Sequence, residues 1–226
     1  MDIQALLELL QDGGLTVYPL TVGSIVALAI LVERLWRFRG IDQETRSLTR
    51  KIVDALVDRD LPAARELCQG SKTPMAAIYR DAMQWKNIGV EDLERVLATL
   101  RQEAASDLKR GLWIVGTIGS LAPYVGLFGT VVGIIRAFQA MSVHGVGGFE
   151  VVAAGISEAL VATGAGLFVA ITALAFFNYL QVRVSSLSSV YARSCERFVQ
   201  ALLYIESRST DADEESEPSD GRLVPA

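Results

Sequence analysis

Between residues 111 and 182 this chain runs two long apolar stretches joined by a short loop, and the two stretches hold one base and one acid between them, Arg136 and Glu158. A stretch of about 20 apolar residues is enough to cross a bilayer as a helix. Ionisable groups in hydrocarbon are expensive, and where they persist they mark an ion path, a binding site or a pair. These two facts direct the chain to an all-α, polytopic membrane protein whose chemistry lies inside the bilayer. The composition agrees: 51% of the 226 residues are hydrophobic and 21% are charged, which suits a small membrane protein with a substantial water-facing part.

A third apolar stretch, from about Leu15 to Val32, ends at Glu33-Arg34-Leu35-Trp36-Arg37. Pro19 falls near its first turn, where proline is tolerated. Of the 21 Lys and Arg residues, fifteen lie in 34–110, five in 183–226 and one is Arg136. The positive-inside rule then places the N-terminus and the loop between the second and third spans outside, and the large loop and the C-terminus inside. The organisation expected is a periplasmic N-terminal segment 1–14, a first span 15–36, a cytoplasmic helical domain 37–110, a second span 111–141, an outer loop 142–150, a third span 151–182, a cytoplasmic helix 183–207 and a disordered acidic tail 208–226. Met1 to Gly14 carries neither a positive n-region nor a small-residue cleavage site, so the first span is expected to stay as an anchor.

In the cytoplasmic part, Leu48, Ile52, Ala55 and Leu56 recur at helical spacing. Asp60-Leu61-Pro62 reads as a break before a new helix, and Thr73-Pro74 as a cap with proline in the first turn. From Val90 the apolar pattern runs on without a stop signal, which predicts one helix from about Glu91 through the membrane to about Met141, bent at Pro123. Val184, Leu187, Tyr191, Cys195, Phe198, Leu202 and Ile205 form a stripe that continues the third span into the cytoplasm. Asp211 to Asp220 is acidic and poor in apolar residues, the composition of a disordered tail. Cys68 and Cys195 fit no metal or disulfide spacing and are expected to be buried, reduced thiols. No metal or cofactor site is expected, and no basic run interleaved with aromatics suggests nucleic acid.

The run from Leu121 to Ile134, LAPYVGLFGTVVGI, resembles the second transmembrane segment of the ExbB/TolQ/MotA proton-channel family. The run from Val152 to Leu167, VAAGISEALVATGAGL, resembles its third. Tyr18-Pro19-Leu20, Val26 to Ile30 and Glu33 to Trp36 look more like ExbB than TolQ. The resemblance implies a pentamer around the single spans of an ExbD- or TolR-like partner dimer in the bacterial inner membrane. Proton flow would drive relative rotation and carry work to the outer membrane, for instance through a TonB-like protein. In such proteins the partner supplies the essential aspartate. This chain would supply threonines matching Thr130 and Thr163 and the glutamate matching Glu158. Two departures stand out. MotA relatives have a fourth span, and Thr172 stands near where ExbB and TolQ usually have proline.

Helix arithmetic sets the depth of these groups. Thr130 is 20 residues past Arg110 and Thr163 is 20 before Arg183, each about 30 Å from the inner edge at 1.5 Å per residue. Level hydroxyls, repeated around a pentamer, would line a pore with groups that both donate and accept. The plainer reading is that each hydroxyl bonds a carbonyl of its own helix. Arg136 and Glu158 come out near the same height, about 38 Å. They can pair, within or between subunits, which would ease the cost of both charges. Alternatively Arg136 snorkels to the outer headgroups, or Glu158 faces the pore unpaired. Gly126, Gly129 and Gly133, with Ala162, Gly164, Ala165 and Gly166, let helices approach closely. His144 reads as an ordinary residue of the outer loop.

A membrane enzyme is the rival class. The single histidine is in the outer loop, and neither a Gly-x-Ser-x-Gly elbow nor a phosphate-binding loop with lysine occurs. The expectation is a non-enzymatic motor subunit, with a passive assembly scaffold as the third possibility. Which load is driven (TonB-type import, Tol-type constriction or gliding) is left open by the sequence.

Overall fold

The computed structural model describes residues 14–85, 88–144 and 148–216, all in helices and short connections. The helices are α1 (Gly14–Phe38), α2 (Ile41–Val57), α3 (Leu61–Gly70), α4 (Pro74–Ala82), α5 (Val90–Lys109), α6 (Leu112–His144) and α7 (Gly148–Ser216). Three helices among the described residues are long and apolar enough to cross a membrane, and they include α1, α6 and the first part of α7. The chain divides into two compact units. One comprises Met1–Arg37 and Lys109–Arg183, the other Phe38–Leu108 and Val184–Ala226.

The first unit is a three-helix assembly. Leu20 of α1 joins a buried cluster with Ala122 of α6 and Ala170 of α7, flanked by Val125, Ala165 and Val169. One turn pair further along, Ala27 joins Val115 and Ala173, flanked by Ile30, Ile118, Phe176 and Phe177. Small residues at these contacts let the backbones come close, which is how helices associate where lipid removes the hydrophobic drive between them. Pro19 and Pro123 are accommodated inside α1 and α6. Thr172, which stands where a proline was anticipated from the family pattern, bonds its hydroxyl to the carbonyls of Phe168 (2.7 Å) and Val169 (3.0 Å) within an uninterrupted α7.

The second unit packs short amphipathic helices against the C-terminal part of α7. Pro62 and Pro74 sit at helix starts, with Asp60 and Thr73 as caps accepting from the N–H groups of Ala63 (2.9 Å) and Ala76 (3.3 Å). Tyr79 is fully buried, stacks on Phe198 with ring centroids 4.8 Å apart, and donates to the carbonyl of Ser194 at 2.9 Å. Its oxygen also lies 3.0 Å from Thr49 Oγ1, so a polar contact crosses the apolar core fully satisfied.

Three expectations need correction. The helix expected to run unbroken from Glu91 to Met141 is two, α5 and α6, separated at Arg110 and Gly111. Gly111 takes φ +79°, a left-handed conformation that ends a helix and that glycine adopts without steric cost. The connection between the second and third spans, expected over 142–150, is narrower, since α6 continues to His144 and α7 begins at Gly148. The tail expected to be disordered from 208 is helical as far as Ser216, because α7 carries on through the first acidic residues. The N-terminal segment up to residue 13 and the end of the tail from residue 217 lie outside the described residues.

Candidate functional site in the α6–α7 hairpin

α6 and α7 run antiparallel in close register. A Cβ added at Gly119 would lie 2.8 Å from Leu174, one at Gly166 would lie 2.7 Å from the Ala122 carbonyl and 2.9 Å from Gly126 Cα, and one at Gly133 would lie 2.7 Å from Ala159 Cβ. One at Gly155 would come within 2.6 Å of Ala137 Cβ. Each step along α6 is matched by an equal step back along α7, so Thr130 stands opposite residue 162, one residue from Thr163. The two threonines therefore lie within about 1.5 Å of the same height along the hairpin.

Their hydroxyls are both engaged. Thr163 Oγ1 donates across the hairpin to the carbonyl of Gly126 at 3.0 Å. Thr130 Oγ1 donates to the carbonyl of Leu127, three residues back on its own helix, at 2.7 Å. The local back-bond thus holds for Thr130 and not for Thr163, whose bond ties two helices. Gly126 is buried in this contact, Gly129 is buried one turn on, and Pro123 is half-buried a turn before.

Helical periodicity separates the candidate residues onto two faces. Arg136 is eighteen residues past Ile118 and eleven past Val125, about five and three full turns, so it shares the face of α6 that joins the clusters with α1. Glu158 is eighteen residues before Phe176 and eleven before Val169, and likewise lies on the α1-facing side of α7. Thr130 and Thr163 are each five residues from a member of that face (Val125 and Glu158), which is about 140° around the helix. They fall half-buried at the α6–α7 contact, Thr163 about 20° from Ala170, between that face and the exposed Leu127 and Ile134 of α6 and Leu160, Leu167 and Ile171 of α7. Between Leu127 and Ile134, and between Leu160 and Ile171, the two threonines are the only residues with polar side chains. The result is one half-buried level of hydroxyl oxygens beside a stretch of exposed apolar residues.

Arg136 and Glu158 are both exposed, at heights within a turn of each other, and among the described residues neither forms an ion pair. His144 closes α6. Among the described residues no group of three or more His, Cys, Asp or Glu could hold a metal ion. Sequence reasoning missed Gly155 and Ala137 as a close contact, and the signal was present: small residues stand at that level on both stretches.

Three helices long and apolar enough to cross a membrane, two of them packed glycine to backbone with a hydroxyl tie between them, fit a multi-pass helical membrane protein. Residues 70–193 match the MotA/TolQ/ExbB proton channel family, and the chain belongs to that family. It is 32% identical over 179 residues to an ExbB-like biopolymer transport protein of Synechocystis, covering 77% of this chain and 70% of that one. It is 29% identical over 195 residues to the Tol-Pal system protein TolQ of Haemophilus influenzae (79% of this chain, 83% of the other). With the biopolymer transport protein ExbB of Pseudomonas putida the identity is 30% over 212 residues (89% and 63%). Members of this family are channel and motor subunits, not enzymes, and the chain is a multi-pass protein of the inner membrane.

Proposed function

We propose that this chain is the proton-channel stator subunit of an inner-membrane motor. It would assemble as a pentamer around an ExbD/TolR-like single-span partner and use the proton motive force to energise an outer-membrane process such as TonB-dependent import. The N-terminus would face the periplasm and the C-terminus the cytoplasm. The observation that carries this reading is the pair of level, half-buried threonines at the α6–α7 contact, flanked from Leu127 to Ile134 and from Leu160 to Ile171 by apolar residues alone, since a proton path through hydrocarbon needs polar oxygens at a defined height. Relatives named ExbB and TolQ match comparably, so TonB-type import and Tol-type constriction are both within reach of this class.

The test is co-reconstitution with an ExbD/TolR-like single-span protein and measurement of proton flux in vesicles. Thr130→Val and Thr163→Val are expected to assemble normally and to lose flux. A passive scaffold would tolerate both changes, and that result would end the motor reading. Co-purification with a TonB-like protein would fix the subclass.

A further inference from the structure

Two pentapeptides share one pattern, Arg65-Glu66-Leu67-Cys68-Gln69 in α3 and Arg80-Asp81-Ala82-Met83-Gln84 at the end of α4. Each reads guanidinium, acid, apolar side chain, sulfur, carboxamide. The first, fourth and fifth members of both meet at one cavity of about 430 Å³, lined by Arg65, Cys68, Gln69, Arg80, Met83 and Gln84. On a helix these three positions share a side, and the acid in second place points about 100° away from the arginine. The helical turn outlasts α4, because the Met83 and Gln84 N–H groups donate to the carbonyls of Tyr79 (2.9 Å) and Asp81 (3.2 Å), which brings Gln84 round to the side of Arg80. Neither Glu66 nor Asp81 lines the cavity.

Arg37, Arg46 and Arg95 each pair with a carboxylate three or four residues before them. Arg65 and Arg80 have no acid three or four residues away in either direction, and among the described residues neither makes an ion pair. Two guanidiniums on one cavity without a counter-charge repel each other, and an anion between them turns that repulsion into attraction. The carboxamides of Gln69 and Gln84 add N–H donors. We infer that this cavity binds a phosphate monoester, gripped by the forks of Arg65 and Arg80 with Gln69 and Gln84 beside them. A single fork already serves both oxygens of a carboxylate; a second fork suits an anion with a third oxygen and a second charge. The cavity is of the size that small-molecule sites have. Arg65 and Met83 also border an apolar groove with Leu61 and Trp85, which gives the organic part of the ester a place. A soluble phosphate ester and the headgroup of a phosphorylated lipid present the same group. The site is apart from the α6–α7 hairpin and does not rest on the motor reading.

The full chain in phosphatidylcholine nanodiscs is to be titrated with phenyl phosphate, and with benzoate as the carboxylate control. Saturable binding of phenyl phosphate is expected, with benzoate about tenfold weaker or more. Arg65→Gln and Arg80→Gln should each weaken phenyl phosphate about tenfold or more, the effect of one charge-assisted contact. Arg95→Gln, which removes a paired arginine elsewhere in the same unit, should leave the affinity unchanged. Thermal unfolding checks that the variants fold, and Arg65→Lys and Arg80→Lys, which keep the charge and lose the fork, should also weaken binding. The titration is then repeated in bilayers containing phosphatidic acid or, at equal surface charge, phosphatidylserine. Weaker binding with phosphatidic acid alone assigns the site to a lipid headgroup, and equal affinity in the two assigns it to a soluble ester. No saturable binding of phenyl phosphate, benzoate binding as tight as phenyl phosphate, or unchanged affinity in a folded Arg65→Gln/Arg80→Gln variant would overturn the proposal.

Discussion

The Thr163 hydroxyl donates to the Gly126 carbonyl at 3.0 Å, and that carbonyl belongs to the residue four before Thr130 on the neighbouring helix. One backbone oxygen is thus the link between the two threonines, since the helical ladder directs the Thr130 N–H to it as well. The link exists only because no side chain stands between the helices there.

That dependence makes glycine substitutions informative. Gly166→Ala would set a Cβ 2.7 Å from the Ala122 carbonyl and 2.9 Å from Gly126 Cα, against backbone that cannot rotate away. Overpacking of this kind costs ~1–3 kcal/mol, and the helices must part, breaking the Thr163 bond. Gly164→Ala meets nothing within 4 Å and should be neutral. Thermal unfolding in lipid, with proton flux as the second readout, checks both; equal stability of the two variants would show that the close approach is not rigid.

Arg136 and Glu158 share a side and nearly a height, yet each is exposed and neither meets the other within one chain. We propose that they pair between subunits. Charge reversal at either position alone should abolish activity, and the exchange Arg136→Glu with Glu158→Arg should partly restore it. Failure of the exchange to rescue would count against the pair and favour a headgroup role for Arg136.

Much of this arrangement was legible in the chain. Asp60-Leu61-Pro62 and Thr73-Pro74 mark the starts of α3 and α4 because caps and N-terminal prolines act locally. The level of Thr130 and Thr163 followed from the rise per residue alone. The break at Gly111 was not legible, because a glycine inside an apolar-periodic run is tolerated in many helices and only the backbone angle reveals a turn. The partition of Arg136 and Glu158 from the threonines needed the α1 contacts, since periodicity says which residues share a face but not what that face meets.

Gly111 supplies its own test. A Cβ there would lie 3.8 Å from Arg34 Nη2, an ordinary contact, so the cost of Gly111→Ala is the left-handed backbone itself, ~1–2 kcal/mol. Gly111→Asn, which tolerates that conformation better, should lose less. Equal losses, read by denaturant unfolding, would mean that the space and not the angle is limiting.

In the second unit, Tyr79→Phe keeps the stacking on Phe198 and removes only the hydroxyl that reaches Ser194 and Thr49. The variant should be destabilised by ~1 kcal/mol, the net worth of one buried hydrogen bond. Thr49 keeps its bond to the Thr45 carbonyl in this variant, so the further change Thr49→Val should not restore the loss; full restoration would show that Thr49 and not Ser194 is the partner that matters.

The buried thiols set an alkaline limit. Cys68 is fully buried and Cys195 5% exposed, and burial raises each from 9.0 to about 11, with Arg80 and Arg101 respectively pulling back slightly. A raised thiol value means the folded chain holds its proton more tightly than the unfolded chain. The stability from this source is therefore complete below about 9, and it declines as pH climbs through about 11. The wild type should lose melting temperature over that interval faster than a Cys68→Ala/Cys195→Ala variant, whatever other groups titrate in both. At pH 8 a maleimide should leave both thiols of the folded protein untouched and modify both in denaturant, because a buried neutral thiol is a poor nucleophile. Rapid labelling of the folded protein, or parallel alkaline melting of the two chains, would show that solvent reaches the thiols and that their protonation is not tied to the fold.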